Sequence, residues 1–181
     1  MLRKHAEAIT ALKELIHRGM SMILGIVMLA WSAMAAESPA GPVVLTVAGN
    51  ISRANRPAYD ADRDMFLRRH QRTFAKAFVF DRAMLERLDV KAVHVRWDGP
   101  KVISGPRLVD VLDAAGRQGR TVDTLALDGF RFKADTEARE WIVATRADGR
   151  PLGIGDRGPL WLVTEKDVGP GPWALFFIQC G

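Results

Sequence analysis

The chain has 181 residues and one cysteine, Cys180, next to its last residue. A lone cysteine excludes an internal disulfide. It leaves three roles open: a small apolar strand residue, a free thiol, or an intermolecular link. Histidine is scarce too. There are four, and only His70 and His94 lie beyond the first 35 residues. With the cysteine so far along the chain they give no zinc-ligand spacing. No Gly-x-Ser-x-Gly elbow is present, so a hydrolase of that type is not indicated. No apolar run reaches the roughly 20 residues of a comfortable membrane span. Charge of one sign does not dominate either, since the net charge is +5. Nucleic-acid binding normally shows as a concentrated basic face. Here the densest basic stretch, Arg63 to Lys76, is offset by Asp60, Asp62 and Asp64, as on a solvated helix face or loop. No nucleic-acid partner is expected. Internal repeats and low-complexity segments are also missing.

What is present begins near the N-terminus. Met22 to Trp31, MILGIVMLAW, is an uninterrupted apolar run preceded by His17 and Arg18. Ala33-Met34-Ala35 follows with the small-residue pattern of a leader cleavage site. We read residues 1–35 as a signal peptide and 36–181 as the exported, periplasmic domain. The alternative is that the run stays attached as an anchor. Met1 to Gly19 has the spacing of an amphipathic helix, with Ile9, Leu12 and Ile16 on one face. Translation is expected to start at Met20 or Met22, with the residues before it carrying no function. Without residues 1–35 the chain keeps 22 basic and 19 acidic residues, a net charge of +3. That remainder is of single-domain size.

Along this domain the apolar runs are short. Val43 to Ala48 has the β-branched content of a strand, closed by Gly49-Asn50. Ile51 to Gln71 reads as a long polar loop with one helical turn. Ala77 to Phe80 is a strand, and Asp81 is placed to cap a helix over Arg82 to Leu88. Phe80 and Leu85 would staple that helix's start. Lys91 to Arg96 is a strand, and Asp98-Gly99 makes its turn. The chain then turns through Ser104-Gly105-Pro106. It enters a helix over Arg107 to Ala115, with Leu108, Val111, Leu112 and Ala115 on its buried face and Gly116 at C′. Thr121 to Leu127, Trp141 to Thr145, Leu160 to Thr164 and Ala174 to Gln179 are strands. Asp128-Gly129 and Asp148-Gly149 are turns, and Asp135 or Thr136 starts a helical turn through Arg139. Short helices in a strand-rich chain, without regular βαβ alternation, predict an α+β domain.

Gly153 to Gly158 spells G-x-G-x-x-G. A dinucleotide site needs a strand before this motif and a helix after it. Pro159 and the strand-like LWLVT follow instead, so the motif is a glycine-rich turn. Tryptophans, arginines and Asp-Gly turns recur at strand ends. Trp97, Trp161 and Trp173 each sit beside Gly, Pro or Asp. A tryptophan there packs in a core or rim, or offers a stacking platform for a flat heteroaromatic ligand. Arginine planes can stack on such rings as well. Asp98 or Asp128 can pair a carboxylate with a guanidine-like edge.

Several stretches carry a family resemblance in their order and spacing. They are TVAGNI (Thr46–Ile51), FDRAMLERL (Phe80–Leu88), VRWDGPKVISGPRLVDVLDAAG (Val95–Gly116), TLALDGF (Thr124–Phe130), ATRADGRPL (Ala144–Leu152) and DRGPLWLV (Asp156–Val163). Together they resemble the sulfite-oxidase-like, molybdopterin-binding domain family over roughly Val43 to Cys180. The catalytic members place a molybdenum-ligating cysteine on the loop held here by Arg96-Trp97-Asp98. This chain has none there. It is similar to a small exported subset without that cysteine. Members of that subset bind free reduced pterins in the periplasm and signal to membrane diguanylate cyclase/phosphodiesterase proteins. The resemblance implies a sulfite-oxidase-like fold and a pterin as ligand, with no metal site and no catalytic residue. It also implies the periplasmic domain of a membrane signalling protein as partner. The implied pocket lies around Arg96, Trp97, Asp98, Asp128, Gly129, Phe130, Arg157, Gly158 and Pro159. The competing expectation is a molybdopterin-dependent oxidoreductase or redox subunit.

Overall fold

A computed structural model describes residues 37–97, 99–156, 158–164 and 173–181, without the side chains of residues 99, 100 and 173. The signal-peptide reading of residues 1–35, and Ala36, lie outside the described residues. The strand-rich α+β expectation holds: twelve strands and three short α-helices are described.

The centre is a five-stranded sheet in the order β2-β1-β12-β5-β6. Its strands are β1 (Val43–Gly49), β2 (Ala77–Asp81), β5 (Thr121–Leu125), β6 (Arg131–Asp135) and β12 (Phe177–Cys180). Only the β1–β12 pair is parallel; the other pairs are antiparallel. β1 and β2 are nearly continuous apolar runs because both faces of this sheet are covered. On one face Leu45, Val47, Phe78, Phe80 and Ile178 join the main core. It is completed by helices α2 (Arg82–Glu86) and α3 (Leu108–Ala114). On the other face Ala48, Ala77, Leu125 and Phe177 pack under Leu67 and Phe74. Leu67 comes from α1 (Met65–Arg69), the helical turn expected in the long loop.

The expected helix signals act as capping chemistry requires. Asp81 accepts a hydrogen bond from Met84 N at 2.8 Å, and Phe80 and Leu85 are buried behind it. Leu108, Val111, Leu112 and Ala115 are fully buried, and Gly116 follows at φ +68°.

Two smaller sheets sit beside the large one in sequence. One runs β3-β4-β8-β9 and the other β11-β10-β7, with β11 at Trp173–Ala174. β3 (Val90–Trp97) and β4 (Gly99–Pro106) form a long hairpin in full register, Val90 facing Pro106 and Trp97 facing Gly99. The expected turn at Ser104-Gly105-Pro106 is therefore corrected: these residues end a strand. Gly105 is glycine for a reason other than turning, because a side chain there would run into the backbone of Val143. β7 (Ile142–Ala144) and β10 (Trp161–Val163) are buried on both faces. Val143 and Leu162 point to the main core, and Ile142, Ala144, Trp161 and Val163 to a second one with Val93, Val95 and Ile103. The three-stranded sheet is thus a wall between two cores.

Two further expectations change. Arg131–Asp135 is a strand that its mixed RFKAD sequence does not announce, because it is an edge strand half open to water. The helical turn expected from Asp135 is only a turn, closed by Asp135 Oδ1 accepting Glu137 N at 2.9 Å and Ala138 N at 3.3 Å. Asp148-Gly149 turns as expected, with φ +49° and +76°, between β8 (Arg146–Ala147) and β9 (Arg150–Pro151).

Candidate ligand-binding site

β3 alternates in and out, so Val93, Val95 and Trp97 face the second core while His94 and Arg96 face solvent. Trp97 is the last residue of the strand and is half-buried at the rim of that core. Its ring meets Trp161 edge to face, with centroids 5.9 Å apart at 67°. The Trp161 Nε1–H donates to the Asp156 carbonyl at 2.8 Å. Trp97 Nε1 is buried and has no hydrogen-bond partner among the described residues. Buried indole N–H groups usually find an acceptor. Arg96 is exposed and makes no ion pair among the described residues. Asp98 and Arg157 lie outside them.

Asp128, Gly129 and Phe130 form the turn between β5 and β6. Asp128 Oδ1 accepts Phe130 N at 2.9 Å, and Gly129 N donates to Ala126 O at 3.0 Å. The Asp128 carboxylate is thus partly committed to its own turn, and Phe130 projects from it half exposed. Gly129 stands at φ +88°, and a β-carbon there would lie 2.7 Å from His70 Cε1. His70 in turn tilts against Phe66 at 4.6 Å, and Phe66 meets Phe176 edge to face at 5.2 Å.

Gly158 is buried and Pro159 half-buried just after the 3₁₀ turn Ile154–Asp156. Gly158 has φ +113°, and a β-carbon there would contact Ala174 Cβ at 3.7 Å and Leu127 Cδ1 at 3.9 Å. Asp156 Oδ2 accepts Gly153 N at 2.9 Å, which closes the loop on itself as a glycine-rich turn.

Two of the stretches are linked by contact: Trp97 meets Trp161, and Trp161 is bonded to the carbonyl of Asp156. Gly158 lies near Leu127, at the foot of the Asp128 turn. The sequence reading missed His70, Phe66 and Leu127. His70 had been weighed only as a metal ligand. The Phe66–His70 spacing of four residues on a short helix was the available signal.

Two open clefts lie elsewhere. One, of about 510 Å³, is lined by residues that include Asp123, Lys133 and Gln179; the other, of about 140 Å³, lies by Lys91 and Glu140. Neither is lined by a residue that the sequence places in the candidate site.

Cys180 resolves as a packed strand residue. It is 4 % exposed in the main core, and burial pushes its thiol up to about 11. It pairs with Val122, at the end of β5 away from the Asp128 turn, while Phe177 pairs with Leu125 near that turn. A thiol so placed does not fit the role of a thiolate metal ligand at the Trp97 end. No group of three His, Cys, Asp or Glu able to hold a metal ion occurs among the described residues.

No family model and no curated protein matches this chain.

Proposed function

We propose that this protein is an exported pterin-binding module of the sulfite-oxidase-like fold. In this reading it serves as the ligand-sensing partner of a membrane diguanylate cyclase/phosphodiesterase. The observation that carries the reading is the buried Nε1–H of Trp97, without a hydrogen-bond partner among the described residues, beside the Trp161 ring. A flat heterocycle rich in ring nitrogens and a carbonyl offers what that corner lacks: an acceptor for the indole N–H and a face to stack. The proposed pocket comprises Arg96, Trp97, Asp98, Asp128, Gly129, Phe130, Arg157, Gly158 and Pro159, of which Asp98 and Arg157 lie outside the described residues. Backbone can approach a ligand closely at Gly129 and Gly158, and loop residues on a rigid scaffold commonly carry binding. Molybdenum chemistry is not part of this reading, because the only thiol is Cys180.

The test is a titration of the mature protein with tetrahydropterin under anaerobic conditions, read by tryptophan fluorescence. Saturable quenching at one equivalent supports the reading. Metal analysis of protein from its native compartment should return far less than one molybdenum per chain. Stoichiometric molybdenum, or no response to pterin, overturns it. If pterin binds, co-purification with the periplasmic domain of a membrane diguanylate cyclase/phosphodiesterase from the same cell tests the partner.

A further inference from the structure

We propose that the open edge of β3 is a docking site for an extended segment of a protein partner. The segment adds to the four-stranded sheet as a further strand and carries an acidic residue to Arg96. This names the partner-binding surface that the proposed function leaves open, and it rests on that reading only for there being a protein partner.

β3 stands at the end of its sheet, with β4 as its only neighbour among the described strands. All eight of its residues pair with β4 in one unbroken register. Which backbone groups face outwards follows from Val102 of β4. Its N–H donates to Asp148 Oδ1 at 2.9 Å, and its carbonyl accepts Asp148 N at 2.8 Å. The Ser104 carbonyl likewise accepts Thr145 N at 2.9 Å. Val102 and Ser104 thus turn their backbone groups away from β3. Along an antiparallel ladder this direction alternates from residue to residue. Lys101, Ile103 and Gly105 therefore turn theirs towards β3, where they face Val95, Val93 and Lys91. The N–H and carbonyl groups of Val90, Ala92, His94 and Arg96 are left pointing out from the sheet. All four residues are exposed, and no backbone hydrogen bond from another described segment reaches them.

An open edge invites strand addition, and proteins usually blunt it with proline, a bulge, a short strand or a covering segment. The edge of β2 has such cover. Asn55 Nδ2 donates to the Val79 carbonyl at 2.9 Å, Asn55 Oδ1 accepts Val79 N at 2.7 Å, and Arg56 bridges to Ala77. β3 has eight residues, no proline and no bulge. Its side chains also select the occupant. Its charged residues are Lys91 and Arg96, both basic. Lys91 is paired with Asp89 at 2.9 Å, whereas Arg96 is exposed without an ion pair among the described residues. On the same face of the hairpin as Arg96, Val90 is 45 % exposed and Val102, opposite His94, is 39 % exposed. A segment that fits brings β-branched residues to this apolar strip and a carboxylate to Arg96. The β3 strand of a second copy would bring only basic charges to the edge, and like charges across strands destabilise.

The experiment uses isotope-labelled protein purified from its native compartment and two synthetic peptides matched to β3 in length. Both alternate threonine and valine; one carries glutamate and the other lysine at the position set to meet Arg96. Amide hydrogen exchange, followed by nuclear magnetic resonance, reads the result. In the protein alone the N–H groups of Val93, Val95 and Trp97 should be protected, and those of Ala92, His94 and Arg96 should exchange fast. The glutamate peptide should slow these three at least about tenfold and leave the others unchanged. The lysine peptide should bind at least about threefold more weakly. His94→Pro removes one outward N–H without touching the bonds to β4; it should melt like the parent, respond to pterin as before, and lose the peptide. His94→Glu, which keeps the backbone donor, should weaken the glutamate peptide by charge alone. No response of the three amides to the glutamate peptide, or equal binding of the lysine peptide, would overturn the docking site and leave the pterin reading standing. Protection of the three amides that rises with protein concentration alone would assign the edge to a second copy and overturn it as well. Peptide binding in a protein that ignores pterin would uphold the edge and sink the pterin reading.

Discussion

β2 and β3 have similar apolar content but opposite surroundings. In β2 every residue from Ala77 to Asp81 is buried, because α2 and the main core cover one face and the Leu67–Phe74 cluster covers the other. In β3 only Val93 and Val95 are fully buried, with Trp97 half-buried and the alternate residues facing water. A strand buried on both sides contributes stability and offers a ligand nothing. A strand buried on one side ends, at Trp97, with a large aromatic ring whose polar atom has no hydrogen-bond partner among the described residues. The large sheet is the frame; the small sheets carry Trp97 and Trp161, and the β5–β6 turn of the large sheet carries Asp128 to Phe130.

The largest effect should come from the frame. Phe80→Ala removes a ring that is 2 % exposed in the main core, and the expected loss is about 3–5 kcal/mol in urea unfolding. Pterin affinity of whatever fraction remains folded should be unchanged. A loss under about 1 kcal/mol would mean that β2 is not the two-sided strand described, and the contrast with β3 would collapse.

Trp97→Ala reverses the pattern. It should weaken pterin binding by about 1–3 kcal/mol, the range of base–aromatic stacking. Its stability loss should be smaller than that of Phe80→Ala, since less apolar area leaves contact. Thermal melting beside a fluorescence titration reads both. A variant that melts like the parent and binds pterin equally well removes Trp97 from the site, and with it the functional half of the comparison.

Much of the frame was legible in the sequence, and the reason is local chemistry. Asp81 before an apolar helix start, Gly116 after the 3.6-period stripe of α3, and the β-branched run of β1 each report a single element's own needs. The edges were harder. Arg131–Asp135 pairs with β5 through backbone groups, and its charged side chains carry no strand signature. Ser104-Gly105-Pro106 looks like a turn because close strand packing and turning both select glycine. Trp97 and Asp128 were readable as candidates from their places at strand ends and turns, whereas Gly129, Phe130, Gly158 and Pro159 entered only through the family resemblance. The contact of Trp97 with Trp161 was not readable, since it depends on how distant strands meet. His70 against Gly129 belongs to the same class of contact.

Asp81 sharpens the contrast from a different side, because it is polar yet belongs to the frame. Hydrogen bonds from the backbone of Met84, Gly41 and Ala40 lower its pKa below the ordinary 3.8. A carboxyl lowered on folding stabilises the protein above its unfolded value, and that stabilisation is lost as pH falls through the lower folded value. Asp81→Asn turns an acceptor into a donor facing Ala40 N or Gly41 N. It should cost about 1–2 kcal/mol at pH 7, the range of a lost cap, and flatten the decline in stability below about pH 4. An unchanged acid limb in the variant would show that Asp81 is not the group that titrates there.

The smallest effect is expected at Cys180, and it separates frame from site most cleanly. Cys180→Ala removes one buried heavy atom, so the expected cost is about 0.5–1.5 kcal/mol, as for other single-atom core truncations. Pterin affinity should stay within about twofold, because the thiol lies on β12 opposite Val122 and not at the Asp128 turn. The pH response has a definite sign. The thiol ionises near 9.0 when unfolded and near 11 when folded. Between those values the folded state holds more protons, so stability falls as pH rises through that window. Cys180→Ala should remove this part of the alkaline decline while leaving the acid side alone. Urea melts at pH 8 and pH 10 on both proteins measure it. A loss of ligand binding in Cys180→Ala, with the fold intact, would place the thiol at the functional centre and reopen the oxidoreductase reading.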